Sequence, residues 1–520
     1  MSALTVPFLM PRVEEVVPDF AMLKDRLTGS SVVEERYTAT QVPSSGDNYT
    51  VGGSGTRLMI IRVANQNDYI DTSTMVLNFR AISNQASTGL ALDDHILSLV
   101  DTINVKVGGQ TVEVLNNVGH LVNALVQGSM PYNYYKQNGG FEGLYIYDKW
   151  SDAPASRIVG GAGVADANNA DVTSPDTISS RWVVGNSWLE NGRYYSVPLT
   201  LLGLCRIPTL FCARNFQDIT IEILFRSQLA GCAWVSNPST AVPANAATTT
   251  LLINDVTLTY DCCRMSADYY ALMDNELKMP NGSGVAYAVD TYQVQPASIA
   301  AGASAGTGPG STGALTRIVV AKGTRFLKGV YGVSKPVQAE TSFLWRNNSS
   351  AGNFCFSSYQ VIINSKRYPQ LQIQSSAQSF QELQKAYNQL GSVAGGAVIS
   401  WFNYVGQPVA RLNGTGNTQR QDATATGTKD GTLCGSCPGD EAMFQNGVNL
   451  EQFLTNQPDA GGINTSTSGY QIAVEIQNNG QVGATASVDA TMVASGLTHY
   501  VILHFTRVLT LKAGAVEVLD

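Results

Sequence analysis

Apolar and polar positions alternate with period two along much of this chain. Leu58 to Val63 is an apolar run, Met75, Leu77 and Phe79 alternate with polar neighbours between Thr74 and Arg80, and Ile219, Ile221, Ile223 and Phe225 repeat the pattern. This spacing puts every second side chain on one face and predicts half-buried strands. The same reasoning predicts strands at Ile103–Val107, Arg193–Leu199, Leu251–Tyr260, Arg317–Ala321, Phe326–Val333, Phe354–Ile363, Tyr470–Ile476 and Leu497–Leu511, with a last one at Val516–Val518.

Three stretches switch to helical spacing. After Gly108-Gly109 a helix is predicted from Asn117, with Val118, Leu121, Val122, Leu125 and Val126 on its apolar face and Gly128 and Pro131 past its end. Ser266 is an N-cap candidate for a second, with Tyr269, Leu272, Met273 and Leu277 on one face. The third carries Ser379 and Glu382 in capping-box spacing, then Phe380, Leu383, Tyr387 and Leu390, and Gly391 stops it. Pro369, just upstream, is expected to end strand pairing because it has no N–H to give.

The order is strands, helix, long polar excursion and strands, then a linker helix, then the same series again. It predicts an all-β chain of two tandem jelly-roll sandwiches, each with an inserted short helix, joined by a linker helix. Residues 1–50 read as an N-terminal tail, 51–264 as the first jelly roll with a long loop at 132–191, 265–282 as the linker, and 283–520 as the second jelly roll with a long loop at 413–469. A length of 520 residues accommodates two such domains.

Composition narrows the function. Charged residues are 14% of the chain and the net charge is −8, a balance that disfavours direct nucleic-acid binding, which relies on lysines and arginines to neutralise phosphates. Met1 to Met10 lack the basic region of a signal peptide and Pro11-Arg12-Val13-Glu14-Glu15 follows at once, so synthesis in a cytosolic or nuclear compartment, without secretion, is expected. The eight cysteines are sparse and mostly sit in apolar runs, as small core residues do.

Candidate chemistry is thin. His95, His120, His499 and His504 lack metal-site or triad spacing, and structural roles are expected for them, with His120 facing solvent. Cys434-x-x-Cys437 has the spacing of half a zinc site or a redox pair, but no further ligands lie near and no strand-to-helix context surrounds it, so a metal-free loop is expected. The glycine-rich runs at 52–55, 160–163 and 300–313 lack the lysine of a phosphate loop. The cluster Tyr132, Tyr134, Tyr135, Phe141, Tyr145 and Tyr147 could stack on sugars, although such a cluster more often forms a loop's own core. The expectation is therefore a chain with no catalytic, cofactor-binding or metal-binding residues, not an enzyme.

The run Ile362-Ile-Asn-Ser-Lys-Arg-Tyr-Pro369, followed by Gln381-Glu-Leu-Gln-Lys-Ala-Tyr387, resembles the second barrel of double jelly-roll major capsid proteins. Asn67-Asp-Tyr-Ile-Asp71, Val197-Pro-Leu199, Ile207-Pro-Thr-Leu210 and Phe216-Gln-Asp-Ile-Thr-Ile-Glu-Ile223 are similar to the first. These proteins build icosahedral double-stranded DNA viruses, here of the virophage, polinton-like or large algal virus type. The resemblance implies a virion subunit that forms homotrimers of pseudo-hexagonal outline and tiles a shell. It implies long loops pointing outward, an N-terminal segment on the inner face, and as partners neighbouring capsomers, penton and minor or cement proteins, and an internal membrane. The competing readings are a carbohydrate-binding or carbohydrate-active tandem jelly-roll protein, and a minor capsid or spike component of the same fold.

Overall fold

The computed structural model describes residues 33–63, 67–84, 90–92, 95–126, 183–184, 193–216, 218–235, 246–278, 285–299, 315–341, 356–387, 404, 444–450, 462–466, 470–478, 496–512 and 515–519. The first half supplies β1 (Val33–Gln41), β2 (Tyr49–Val51), β3 (Leu58–Val63), β4 (Tyr69–Ser83), β5 (Leu90–Leu92), β6 (Val100–Val107), β7 (Gln110–Asn116), β8 (Val183–Val184), β9 (Arg193–Pro198), β10 (Ile219–Phe225), β11 (Ala233–Val235) and β12 (Leu251–Met265). A helix, Ala267–Lys278, follows. The second half supplies β13 (Val285–Ile299), β14 (Leu315–Val320), β15 (Leu327–Pro336), β16 (Phe356–Ile363), β17 (Lys366–Ile373), β18 (Asn446–Asn449), β19 (Ile472–Asn478), β20 (Leu497–Lys512) and β21 (Ala515–Leu519).

In the first sandwich β1-β12-β4-β9, with β2 also on β12, forms one sheet and β3-β10-β6-β7 the other, while β11-β5-β8 forms a small third sheet. In the second, β13-β20-β15-β18, with β21 on β20, accompanies β14-β19-β16-β17. Setting aside β1, β5, β8, β11 and β21, each half joins its first, eighth, third and sixth strands in one sheet and its second, seventh, fourth and fifth in the other. That is the jelly-roll order, and both halves have it.

Burial follows the period of two. Along β10, Ile219, Ile221, Ile223 and Phe225 are buried and the residues between them are half-exposed. They meet Met59, Ile61 and Val63 of β3 and Ile103, Val105 and Val107 of β6 in register. Ile472, Val474 and Ile476 of β19 are buried likewise, paired with Ile363, Val361 and Tyr359 of β16. Each such side chain contributes roughly 1.5–3 kcal/mol by leaving water. The β6–β7 and β16–β17 hairpins turn alike, on Gly108 and Gly109 (φ 55° and 79°) and on Asn364 and Ser365 (φ 48° and 66°), the left-handed pair of a type I′ turn.

The strands β1 and β21 solve the same edge problem. Along one edge β12 is paired by β2 only over Leu251–Ile253, and β1 takes over at Leu258–Met265. Along one edge of β20, β15 stops at Phe505 and β21 covers Val508–Lys512. Each long strand therefore has partners for its backbone groups, which an unpaired edge would leave open to aggregation.

The structure corrects several expectations. Val33–Gln41, read as tail, and Tyr49–Val51, which crosses from the tail into the first jelly roll, are strands of the first sandwich. Val285–Ile299, for which no strand was predicted, is a 15-residue strand. Pro369 does not end pairing: β17 runs through it on a sheet edge, where the register shifts between Tyr359 and Val361 of β16. The third helix starts a turn early, at Ser376, because Ser375 is the N-cap, its Oγ accepting from the Gln378 N–H. Ser379 is instead buried, donating to Asn446 and accepting from the Tyr404 hydroxyl. The helix after Asn117 is one turn, Val118–Leu121, continued by a wider turn over Val122–Val126. Residues 446–449, placed in a loop, form β18 on β15. Cys434, Cys437, the Tyr132–Tyr147 cluster, Leu390, Gly391 and residues 1–32 lie outside the described residues.

Replacing the true cap, Ser375→Ala, is expected to cost about 1 kcal/mol, whereas Glu382→Ala, at the capping-box position, should change stability by no more than about 0.5 kcal/mol. Denaturant midpoints of the two variants compare them directly, and equal losses would contradict the assignment.

Candidate functional site: the seam between the two sandwiches

The densest buried polar chemistry in the described residues lies where the halves meet, and β13 is its spine. Near the start of β13, Tyr287 packs against Phe211 and Phe216 with ring centroids 5.1 and 5.4 Å away. Its hydroxyl donates to the Leu210 carbonyl and accepts from the Cys212 N–H. The aromatic body gives apolar contact while the hydroxyl satisfies backbone groups of the other half.

One turn of the strand further on, the contact becomes polar. Glu113 of β7 is fully buried. Its carboxylate oxygens each accept from the Gly203 N–H at 3.0 Å, and one accepts from the Thr291 hydroxyl of β13 at 2.8 Å. Burial pushes this carboxyl up from its usual range, and the Gly203 and Thr291 hydrogen bonds oppose that. Gly203 has to be glycine here: a Cβ on it would sit 2.0 Å from the Asp290 carbonyl oxygen. Arg206 reaches across to the Asp290 carbonyl at 2.6 Å and to the Tyr292 hydroxyl at 2.9 Å, its guanidinium over the Tyr292 ring. The Asp290 carboxylate turns into its own sandwich, accepting from the buried Lys328 at 2.7 Å and from Thr506. Beyond it, the Asn116 side chain donates to the Val294 carbonyl and accepts from its N–H, continuing a strand-like pairing with side-chain atoms.

A second polar centre gathers on Glu340, in the one-turn helix Val337–Thr341. It accepts from Arg226 at 2.8 Å and pairs with His120 Nε2 at 2.7 Å, both from the first sandwich, and accepts from the Tyr500 hydroxyl at 2.9 Å. The His120 ring lies 4.0 Å from the Tyr500 ring. Gly231 makes room, since a Cβ there would be 2.5 Å from the Arg226 guanidinium. Tyr387 donates to the Ala124 carbonyl, Arg507 to the Val112 carbonyl at 2.7 Å, and Val516 of β21 lies against Gly108 of the β6–β7 turn. The buried Glu113 centre, the partly exposed Glu340 cluster and an aromatic layer thus fix the sandwiches against each other in one arrangement, because a buried charge tolerates little displacement from its partners.

Solved structures supply the comparison. Over 94% of this chain and 98% of theirs, the PBCV-1 VP54 chains fitted into a reconstruction of the virophage Sputnik match with TM-score 0.53 at 11% identity. A Sputnik virophage chain matches with TM-score 0.52 at 10% identity, covering 94% of this chain and 89% of that one. The Faustovirus major capsid protein matches with TM-score 0.52 at 9% identity, covering 96% and 98%. This chain has the double jelly-roll fold. No family model matches the sequence, and no curated protein does.

In this double jelly roll all four histidines are buried or nearly so. His120, expected to face solvent, is at the seam because Glu340, 220 positions away, folds onto it. His95 Nδ1 accepts from the Leu97 N–H, His499 bonds Ser334, and His504 stacks on Tyr292. Burial pushes His95 down to about 3 and His499 to about 4, and it pushes His504 to about 3 against the pull of Asp290. Burial also lowers His120, with Glu340 opposing. Cys205, Cys212, Cys232, Cys262 and Cys263 are buried free thiols, as their apolar settings suggested. The seam residues Glu113, Arg226, Glu340 and Asp290 were not singled out from sequence. The available signal was a lone charge inside or beside an apolar strand, as in Val112-Glu113-Val114 and Phe225-Arg226.

Glu340→Ala removes the carboxylate that pairs with the buried Arg226 and His120 and is expected to cost about 2 kcal/mol, below the full loss for a buried pair because the Glu340 carboxylate is partly in water. Chemical denaturation reads this, and a loss under about 0.5 kcal/mol would show that the cluster contributes little. The histidines predict a pH dependence. Unfolded imidazoles titrate near 6.5 and these stay neutral to lower pH, so below 6.5 the unfolded chain binds more protons and stability falls, continuing down toward pH 3 to 4. Melting temperatures between pH 7 and 4 should fall steadily, and a flat profile would contradict the burial of these rings.

Proposed function

We propose that this chain is a major capsid protein whose trimers, pseudo-hexagonal in outline, tile an icosahedral shell. The observation that carries the reading is that one chain holds two sandwiches of the same strand order, locked by a buried polar seam. Such a two-block unit suits tiling, where each subunit must keep its shape while its edges associate. The likeness in fold to capsid proteins over nearly the whole chain supports it.

In this reading the chain acts by association and not by chemistry. The buried histidines and cysteines serve packing, and among the described residues no group of three or more His, Cys, Asp or Glu is placed to hold a metal. Its partners are further copies of itself, penton and minor or cement proteins, and an internal membrane beneath the inner face. In this reading the protein resides in the virion after synthesis in the host cytoplasm. Sequence-specific nucleic-acid binding is not part of its role.

Size-exclusion chromatography with light scattering is expected to give three times the 55.5 kDa chain mass. Electron microscopy of the same sample should show particles of nearly six-fold outline. A monomer that binds glycans would instead support the carbohydrate-protein reading.

A further inference from the structure

The two ends of the seam differ in how they meet a proton. Along β13 the seam runs from the Tyr287 aromatic layer, past Thr291 on Glu113, to Val294 on Asn116. Asn116 ends β7, so His120 and its cluster with Glu340 lie beyond that point, at the far end. The near end is indifferent to mild acid. Burial holds Tyr287 protonated, Asn116 does not titrate, and the Glu113 carboxyl, once protonated, keeps lone pairs to accept from Gly203 and Thr291. His504, stacked on Tyr292, stays neutral down to about 3.

The far end is built differently. The His120 ring is buried, with Nε2 2.7 Å from Glu340 Oε1. A carboxylate only accepts, so Nε2 carries the ring proton, and Nδ1 has no hydrogen-bond partner. A second proton would create an Nδ1–H with nothing to accept it. It would also add a positive charge among cations. Burial lowers the affinity of His120 for that proton, and Lys335 of β15 and Arg226 at the end of β10, both buried themselves, lower it further. Glu340 pulls the other way, but its Oε2 is held by Arg226 and its Oε1 is shared with the Tyr500 hydroxyl of β20. Asp101 of β6 and Cys232 act on Arg226, and the one-turn helix Ile96–Leu99, packed against the turn of His120, brings no charge.

We propose that the His120–Glu340 cluster is an acid-sensitive latch at one end of the seam: a proton on His120 releases the turn Val118–Leu121 from Val337–Thr341 while the Tyr287–Glu113 end stays closed. Both turns lie outside the sheets, so parting them breaks no strand ladder. Once released, the imidazole regains its ordinary value near 6.5. The open form then binds the proton more tightly than the closed form, and it gains population as pH falls below 6.5. The sandwiches, one body at neutral pH, loosen at one end in acid. The latch stands on the geometry within one chain, so it holds or fails independently of the capsomer reading.

Hydrogen–deuterium exchange of the full chain, corrected for the intrinsic effect of pH, tests this. Between pH 6.5 and 5, peptides covering 118–126 and 337–341 should exchange roughly tenfold faster, and those covering 108–114 and 285–291 should change less than about twofold, because a one-proton equilibrium shifts up to tenfold per pH unit. His120→Gln, whose amide still donates to Glu340 but takes up no proton, should abolish the gain. His499→Gln, buried within the second sandwich alone, should not. Exchange of the imidazole C2 hydrogens needs no variant: in the wild type His120 should titrate at the midpoint of opening. The proposal is overturned if all four segments open together, if none opens, if His120 titrates away from that midpoint, or if His120→Gln opens as the wild type does.

Discussion

Removing a carboxylate from water costs several kcal/mol unless donors replace the lost solvent. In this chain the donors for one such carboxylate, Glu113, and for the partly exposed carboxylate of Glu340 come from both sandwiches. Glu113 is satisfied by Gly203 of its own half and Thr291 of the other, and Glu340 by Arg226 and His120 of the first half and Tyr500 of the second. Separating the halves would leave each group with part of its hydrogen bonding lost. The contact therefore behaves as the interior of one body more than as a hinge, and apolar packing of Phe211, Phe216 and Tyr287 adds area without the same directional demand.

That rigidity gives the repeated fold its meaning. The two copies of one strand order are joined through unlike edges, β7 of the first sandwich and β13 of the second. A sheet edge is a hazard when it is exposed by accident, and the chain covers the overhanging ends of β12 and β20 with β1 and β21. The β17 edge is treated differently, with Pro369 limiting indiscriminate pairing and Leu371 left in solvent.

Most of the fold was legible in period-two patterning. The strands around Met75–Phe79, Ile219–Phe225 and Leu497–Leu511 follow from alternation because one face is buried and the other is not. The strand Val285–Ile299 escaped because its polar positions are engaged inside the protein, Thr291 by Glu113 of the other sandwich and Asp290 by Lys328 and Thr506 of its own, so its pattern does not describe a half-solvated sheet. Pro369 misled for a related reason: its missing N–H matters in a central strand and not at an edge. Ser379 has capping spacing, yet its hydroxyl is committed to Asn446 and Tyr404, and Ser375 caps in its place.

By itself the amino-acid order determined the class of fold, two runs of strands with a helix between them, because alternation and turn residues act over a few neighbouring positions. It also determined the low charge and the lack of local catalytic spacing. Only the tertiary structure decided that His120 meets Glu340, that Glu113 meets Thr291, and which edges are sealed. Those contacts join residues 178 to 220 positions apart, and no local pattern records a pairing that exists only after two separately patterned sandwiches have packed together.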